Sequence, residues 1–267
     1  MIMGKYFTSL KLGFINSLEY RIDLVFTILT SIFPIVIQLF MWVNVFNQGE
    51  ELIFGYTLNQ LVCYTILSNF VTSLITTNIY STISNDVKSG KLNSYLIKPM
   101  NYISFRTFGI LGSKITEFLL ISILGIIAII FLMSSSELGL TNLNILFFVI
   151  SLILSYLLNL FLYISFSCTA FWITENSRLF AIFKVIMSVI GGSIFPIDIF
   201  GKLFTDISRF MPFQNLVYVP LNIIMGKTPI NEIPGHLIIQ GVWVLLFAFF
   251  ALMLWNKGIK KYIGVGG

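Results

Sequence analysis

The chain has 267 residues, 57% of them hydrophobic and 10% charged, with a mean hydropathy of +0.93. This composition excludes an ordinary soluble domain, in which about 25% of residues are charged. The net charge of +5 does not point to nucleic acid, because the lysines and arginines flank apolar runs instead of gathering on one basic face.

An integral membrane protein is therefore predicted. With ~20 apolar residues needed to cross a ~30 Å hydrocarbon core, the chain has room for about six spans. The expected fold class is an all-α integral membrane protein with six transmembrane helices, divided into an amphipathic interfacial helix at 1–23 and a transmembrane domain at 24–267. Cys63 and Cys168 each sit in an apolar run without Cys-x-x-Cys or Cys/His spacing, which supports neither a disulfide framework nor a metal site.

In residues 4–23, Tyr6, Phe7, Leu10, Phe14 and Leu18 recur at helical steps among Lys5, Lys11, Glu19, Arg21 and Asp23, which predicts a helix lying at the membrane surface. The first span is expected at 24–46. It has Pro34 as a tolerated kink and Trp42 in the interfacial belt, lacks a small-residue cleavage site, and reads as a retained span rather than a signal peptide. An acidic connector with Glu50 and Glu51 follows.

The second span, 57–80, carries Ser68, Asn69, Thr72, Ser73, Thr76 and Thr77 along one side, a stripe that serves either as helix-packing glue or as the wall of a substrate path. Next comes a polar segment, Asp86 to Pro99, holding Lys88, Lys91 and Lys98. Its apolar positions Ile83, Val87, Leu92, Tyr95 and Leu96 give a face, Gly90 breaks the helix and Lys98-Pro99 ends it, so a short helix projecting from the membrane is expected.

The third span is placed at 108–133, with Lys114 and Glu117 one turn apart, and is followed by a connector holding Glu137. The fourth, 143–173, repeats Ser151, Ser155, Asn159, Tyr163 and Ser167 at four-residue steps, the pattern of a helix packed against helices. The fifth, 180–196, is short and interrupted by Gly191-Gly192 before Pro196; that glycine pair reads either as a close contact or as a hinge. Residues 197–236, with Pro212, Pro220, Pro229 and Pro234, are expected to be partly re-entrant, and the sixth span is 237–255.

On this topology Lys202, Arg209 and Lys227 fall on one side and the remaining 13 of the 16 basic residues on the other, which puts both termini in the cytosol. No nucleotide-binding loop is present: the single Gly-Lys-Thr, Gly226 to Thr228, has Leu221 where that motif requires glycine, so no ATP chemistry is expected of the chain itself. A Ser193/His236 hydrolase pair is disfavoured by His236 lying at the outer rim. An ion-coupled carrier would need ionisable groups within the spans. Glu117 and Lys184 are the candidates, and both lie near the cytosolic end, where pairing or snorkelling explains them.

Asp86, Lys88, Gly90, Lys91, Leu92, Leu96 and Pro99 follow a pattern of charged pair, glycine, small or basic residue, leucine and Leu-x-x-Pro ending. In these residues the chain resembles the permease subunits of type-2 ATP-binding-cassette (ABC) exporters. Glu19-Tyr20-Arg21, Gly191-Gly192 with Phe195-Pro196, and Met211-Pro212-Phe213 followed by Pro220 and Gly226 agree in order. Lys91 and Asn93 stand where many relatives carry Thr and Glu, and Gly201 where proline is common, so the resemblance is to a divergent branch.

The resemblance implies a partnership with two separate ABC ATPase subunits, which would bind ATP and magnesium, and with a second permease copy or a different permease. The whole would sit in the cytoplasmic (inner) membrane, with no cofactor on this chain. It implies ATPase coupling through Asp86, Lys88, Gly90, Lys91, Leu92, Tyr95, Lys98 and Pro99. It further implies a path for a drug, peptide, lipid or glycan lined by the second and fifth spans, with Ser68, Asn69, Thr72, Thr76, Ser188, Gly191 and Gly192 as candidates. A non-transport subunit for toxin or peptide immunity, and an ion-coupled carrier, are the alternatives.

Overall fold

The computed structural model describes residues 2–19, 21–47, 52–53, 55–133 and 142–262, with side chains described except at 2–3, 21–25, 27–28, 120 and 123–133. Tyr20, Glu50, Glu51 and Glu137, and the side chains of Arg21 and Asp23, lie outside what is described.

The described chain is helical, apart from loops and one isolated bridge between Ile53 and Tyr56. In order come α1 (Ile2–Glu19), α2 (Arg21–Phe46), α3 (Leu58–Ile75), α4 (Ile79–Lys88), α5 (Asn93–Leu96), α6 (Tyr102–Met133), α7 (Asn142–Ser167), α8 (Asn176–Ile190), α9 (Lys202–Ser208), α10 (Tyr218–Ile224) and α11 (Ile233–Lys261). Four stretches among the described residues are long and apolar enough to cross a membrane: Leu29–Phe46, Leu58–Lys88, Asn142–Phe171 and Ile233–Lys261. They match the expected first, second, fourth and sixth spans. The expected third span corresponds to the distal part of α6. The expected fifth corresponds to α8, whose 15 residues reach about 22 Å, short of a full crossing.

The expected second span is not one helix. α3, opened by a capping box between Thr57 and Gln60, stops at Ile75, and Thr76 is extended before α4 restarts beyond Asn78. The hydroxyls of Ser81 and Thr82 both donate to the Asn78 carbonyl at 2.9 and 3.0 Å, so a Thr-Thr-Asn run breaks the rod without glycine or proline.

The four-residue stripe on α7 is buried throughout: Ser151, Ser155 and Ser167 are 0% exposed and Asn159 and Tyr163 3%. Its partner is Gln240 of α11. Nε2 of that residue lies 2.8 Å from Ser155 Oγ, 2.8 Å from the Asn215 carbonyl and 3.0 Å from the Ser151 carbonyl, while Oε1 accepts from Ser151 Oγ at 3.1 Å. This is polar glue between apolar helices, as the spacing predicted.

α1 does not lie alone on a surface; it runs alongside the first half of α6. Ser9 Oγ donates to the Phe105 carbonyl at 2.8 Å and Ser17 Oγ meets Thr116 Oγ1 at 2.6 Å, so the two helices run in the same direction. A Cβ on Gly13 would stand 1.9 Å from the Gly109 carbonyl oxygen, and one on Gly112 2.0 Å from that of Leu10, so only glycines permit this approach. The outer face of α1 still shows Phe7, Leu12, Ile15 and Leu18.

Candidate functional site: a loop clamp and a polar chamber

The segment at 86–99 is a built structure. α4 ends at Lys88, Gly90 turns the chain with φ +75°, and the Leu92 amide closes the turn on the Asp86 carbonyl at 3.0 Å. Asp86 is 5% exposed, and its carboxylate accepts from Tyr102 Oη at 2.5 Å and from the Arg106 guanidinium. That guanidinium stacks 4.6 Å from the Tyr95 ring centre, Lys98 Nζ lies 5.1 Å from it, and Tyr102 stacks on Trp255 of α11 at 5.2 Å. Lys5 of α1 donates to the Pro99 carbonyl at 3.0 Å, and the Asn101 amide donates to Tyr6 Oη at 3.1 Å. The loop is thus clamped to α1, α6 and α11.

This arrangement sorts the residues singled out for coupling. Asp86 and Leu92 point inward, so they shape the segment and do not offer themselves to a partner. Lys88, Gly90 and Tyr95 are half-buried, while Lys91, Lys98 and Pro99 face out, beside Leu96 and Ile97. Ile97, 85% exposed, was missed. With Leu92, Tyr95 and Leu96 assigned to one helical face, the residue after Leu96 falls about 100° away, and that step carried the signal.

The α3 stripe divides at its midpoint. Asn69 Nδ2 donates to Gln38 Oε1 at 3.3 Å, Ser68 Oγ donates to the Thr65 carbonyl at 3.0 Å, and Trp42 Nε1 reaches Thr65 Oγ1 at 3.1 Å, so this half fastens α3 to α2. Thr72, Ser73, Thr76, Thr77 and Asn78 instead wall a cavity of about 350 Å³, closed on other sides by Ser113, Lys114 and Glu117 of α6 and Lys184 of α8. Lys114 and Glu117 form an ion pair there. Thr72 Oγ1 and Thr77 Oγ1 are buried without hydrogen-bond partners, acceptable only if water or a ligand completes them.

A second cavity of about 580 Å³, between α1, α4 and α6, shares Asn78, Ile110, Ser113 and Glu117 with the first. The two form one polar chamber behind the clamped loop, hinged on the break at Asn78. The residues missed from the sequence are those of α1 and α6; the steps Ser9-Gly13-Ser17 and Gly109-Ser113 were their small-residue signal.

Ser188, Gly191 and Gly192 do not join that chamber. Ser188 Oγ donates to the Val185 carbonyl at 2.7 Å and accepts nothing from across the bundle among the bonds described. Gly192 has φ +78°, its carbonyl accepts from Tyr64 Oη, and the Gly191 carbonyl accepts from the Tyr218 amide at 3.1 Å. A Cβ at Gly192 would lie 2.9 Å from both Tyr64 Oη and Tyr218 Cβ, so this pair is a close contact.

A family model described as "ABC-2 family transporter protein" matches residues 32–266. Comparison with curated proteins and with solved structures found no match.

Proposed function

We propose that this chain, which belongs to the ABC-2 transporter family, is an exporter permease driven through the clamped 86–99 segment by separate ATPase subunits, its polar chamber serving as the cargo path. Family membership makes it a membrane transport component, the permease of an ABC transporter. In this reading about six spans are completed by α6 and α8, both termini are cytosolic, and the membrane is the cytoplasmic one. Two ATPase subunits bind ATP and magnesium, and a second permease, identical or different, completes the pore. The cargo is a hydrophobic or amphipathic drug, peptide, lipid or glycan.

One observation carries the coupling role: Asp86, Arg106, Tyr102 and Tyr95 hold the segment rigidly while Lys91, Leu96, Ile97 and Lys98 project from it. A rigid lever with a mixed basic and apolar tip is what a partner must grip to transmit force. Cysteine substituted at Ile97 provides the test, since Cys63 and Cys168 are both buried. A crosslink from that position to an ATPase subunit in the purified complex is expected. An intact complex that never crosslinks there, or in which Ile97→Ser and Leu96→Ser leave cargo-stimulated ATP hydrolysis unchanged, overturns the coupling role.

A further inference from the structure

A third cavity, of about 170 Å³, lies where the loops around α9 and α10 meet the start of α11. Tyr64 near the start of α3 is bonded to Gly192, and Tyr56 and Tyr218 to Asp198, which fixes this region at the N-terminal end of α3. The 86–99 segment follows the other end of the Leu58–Lys88 stretch, so the cavity and the coupling loop occupy opposite ends of the bundle.

Its walls include Arg209, Lys227, His236, Glu232, Tyr218 and Asn222. Arg209, Lys227 and His236 bring basic nitrogens, and neither Arg209 nor Lys227 takes part in an ion pair among the described residues. Lys227 Nζ rests 3.1 Å from the Tyr56 ring centre, which holds it in place without neutralising it. Arg209 and Glu232 lie within electrostatic reach of the His236 ring. Asp198, whose charge acts on Lys227, is already engaged: Tyr218 donates to one oxygen at 2.6 Å and Tyr56 to the other.

Asn222 adds an independent observation. It is 8% exposed, it lines the cavity, and its Oδ1 is buried with no partner. That orphaned acceptor matches a ligand that brings a hydroxyl along with its negative charge. A carboxylate or halide brings none, whereas a phosphate monoanion or a glycerol phosphodiester does.

We infer that this cavity is a phosphate-binding site, held by Arg209 and Lys227 with His236 as a third nitrogen ligand, and filled either by a free phosphate or by the phosphodiester of an anionic lipid headgroup. The inference concerns the end of the molecule remote from the ATPase contact and does not depend on it.

Burial pushes the Lys227 ammonium down to about 8, with Asp198 opposing. The site therefore loses charge as the pH rises through that value. The other charged or titratable groups around the site are Asp198, Glu232, His236, Arg209, Tyr56 and Tyr218. Burial and Asp198 push the Tyr56 and Tyr218 hydroxyls up from their ordinary value. Lys227 loses its charge in this window, and anion affinity falls as the pH passes it.

The test uses the purified full chain in a neutral detergent and follows thermal unfolding against sodium phosphate, short-chain phosphatidylglycerol and short-chain phosphatidylcholine. A saturable rise in Tm with phosphate or phosphatidylglycerol is expected, and none with phosphatidylcholine. Phosphate alone acting identifies a free anion, and phosphatidylglycerol alone acting identifies the headgroup. The double variant Arg209→Gln/Lys227→Gln is expected to fold and to bind at least about tenfold more weakly. Lys227→Arg is expected to retain binding and to lose its decline with phosphatidylglycerol above about pH 8. A general salt effect acts equally on both proteins. No saturable shift with either probe, or an equal shift in the double variant, overturns the site.

Discussion

At the scale of single residues, the clamp at Asp86 separates stability from coupling. Asp86 and Arg106 are a mostly buried pair, 7% and 22% exposed at their side chains, so removing one charge strands the other. Asp86→Asn is expected to cost about 3 kcal/mol, seen as a lower Tm of the purified chain, and to weaken coupling with it. Ile97→Ser, at an exposed side chain, is expected to leave the unfolding free energy within about 0.5 kcal/mol of wild type while lowering recovery of the ATPase subunit. Were both variants to act through stability alone, Ile97 would have no role beyond the surface. Gly192 makes a separate case. With φ +78° and a Cβ site 2.9 Å from Tyr64 Oη, Gly192→Ala is expected to destabilise by about 2 kcal/mol, measured by the same unfolding assay.

At the scale of elements, what was legible in the sequence is what periodicity encodes. The α7 stripe announced its burial because a hydroxyl every fourth residue on an apolar helix has no reason to face lipid, and Gly90 announced the turn at φ +75° because a left-handed residue favours glycine. The break at Thr76–Asn78 was not legible, since it rests on hydroxyls turned back onto the Asn78 carbonyl and carries neither glycine nor proline. The contact of α1 with α6 was not legible for a different reason. Its apolar residues do face outward, and the inner seam is made of residues with almost no hydropathy signal, Ser9, Gly13 and Ser17. That seam is testable as a unit. Cysteines at Ser17 and Thr116, whose oxygens are 2.6 Å apart, are expected to form a disulfide, and adding Gly13→Leu is expected to abolish it by forcing the helices apart. A disulfide that persists with leucine in place would show that α1 is not held by the glycine contact.

At the scale of the whole molecule, the 86–99 segment proposed for coupling and the chamber are joined through α4. The helix runs from the break at Asn78, which lines both cavities, to Lys88 beside the clamp, about 15 Å away. On the proposed coupling role, a push on the loop would arrive where the chamber wall is already discontinuous, and α1, tied to Pro99 by Lys5 and to α6 by its glycines, would move with it. Glu117 sits on the wall shared by the two cavities and offsets Lys114, while Lys184 faces the same space from α8. Charges near a membrane are retained where they face a cavity and do a task. Glu117→Gln leaves two cations in the chamber with no carboxylate between them, far from the surface at Ile97. It is expected to lower cargo flux in proteoliposomes roughly tenfold, equivalent to about 1.4 kcal/mol, while the ATPase subunit still co-purifies and hydrolyses ATP at its basal rate. Loss of the ATPase subunit in that variant would mean that the ion pair supports the clamp from behind. Unchanged flux would mean that cargo passes elsewhere, and the chamber would then be a water-filled joint that lets α4 swing.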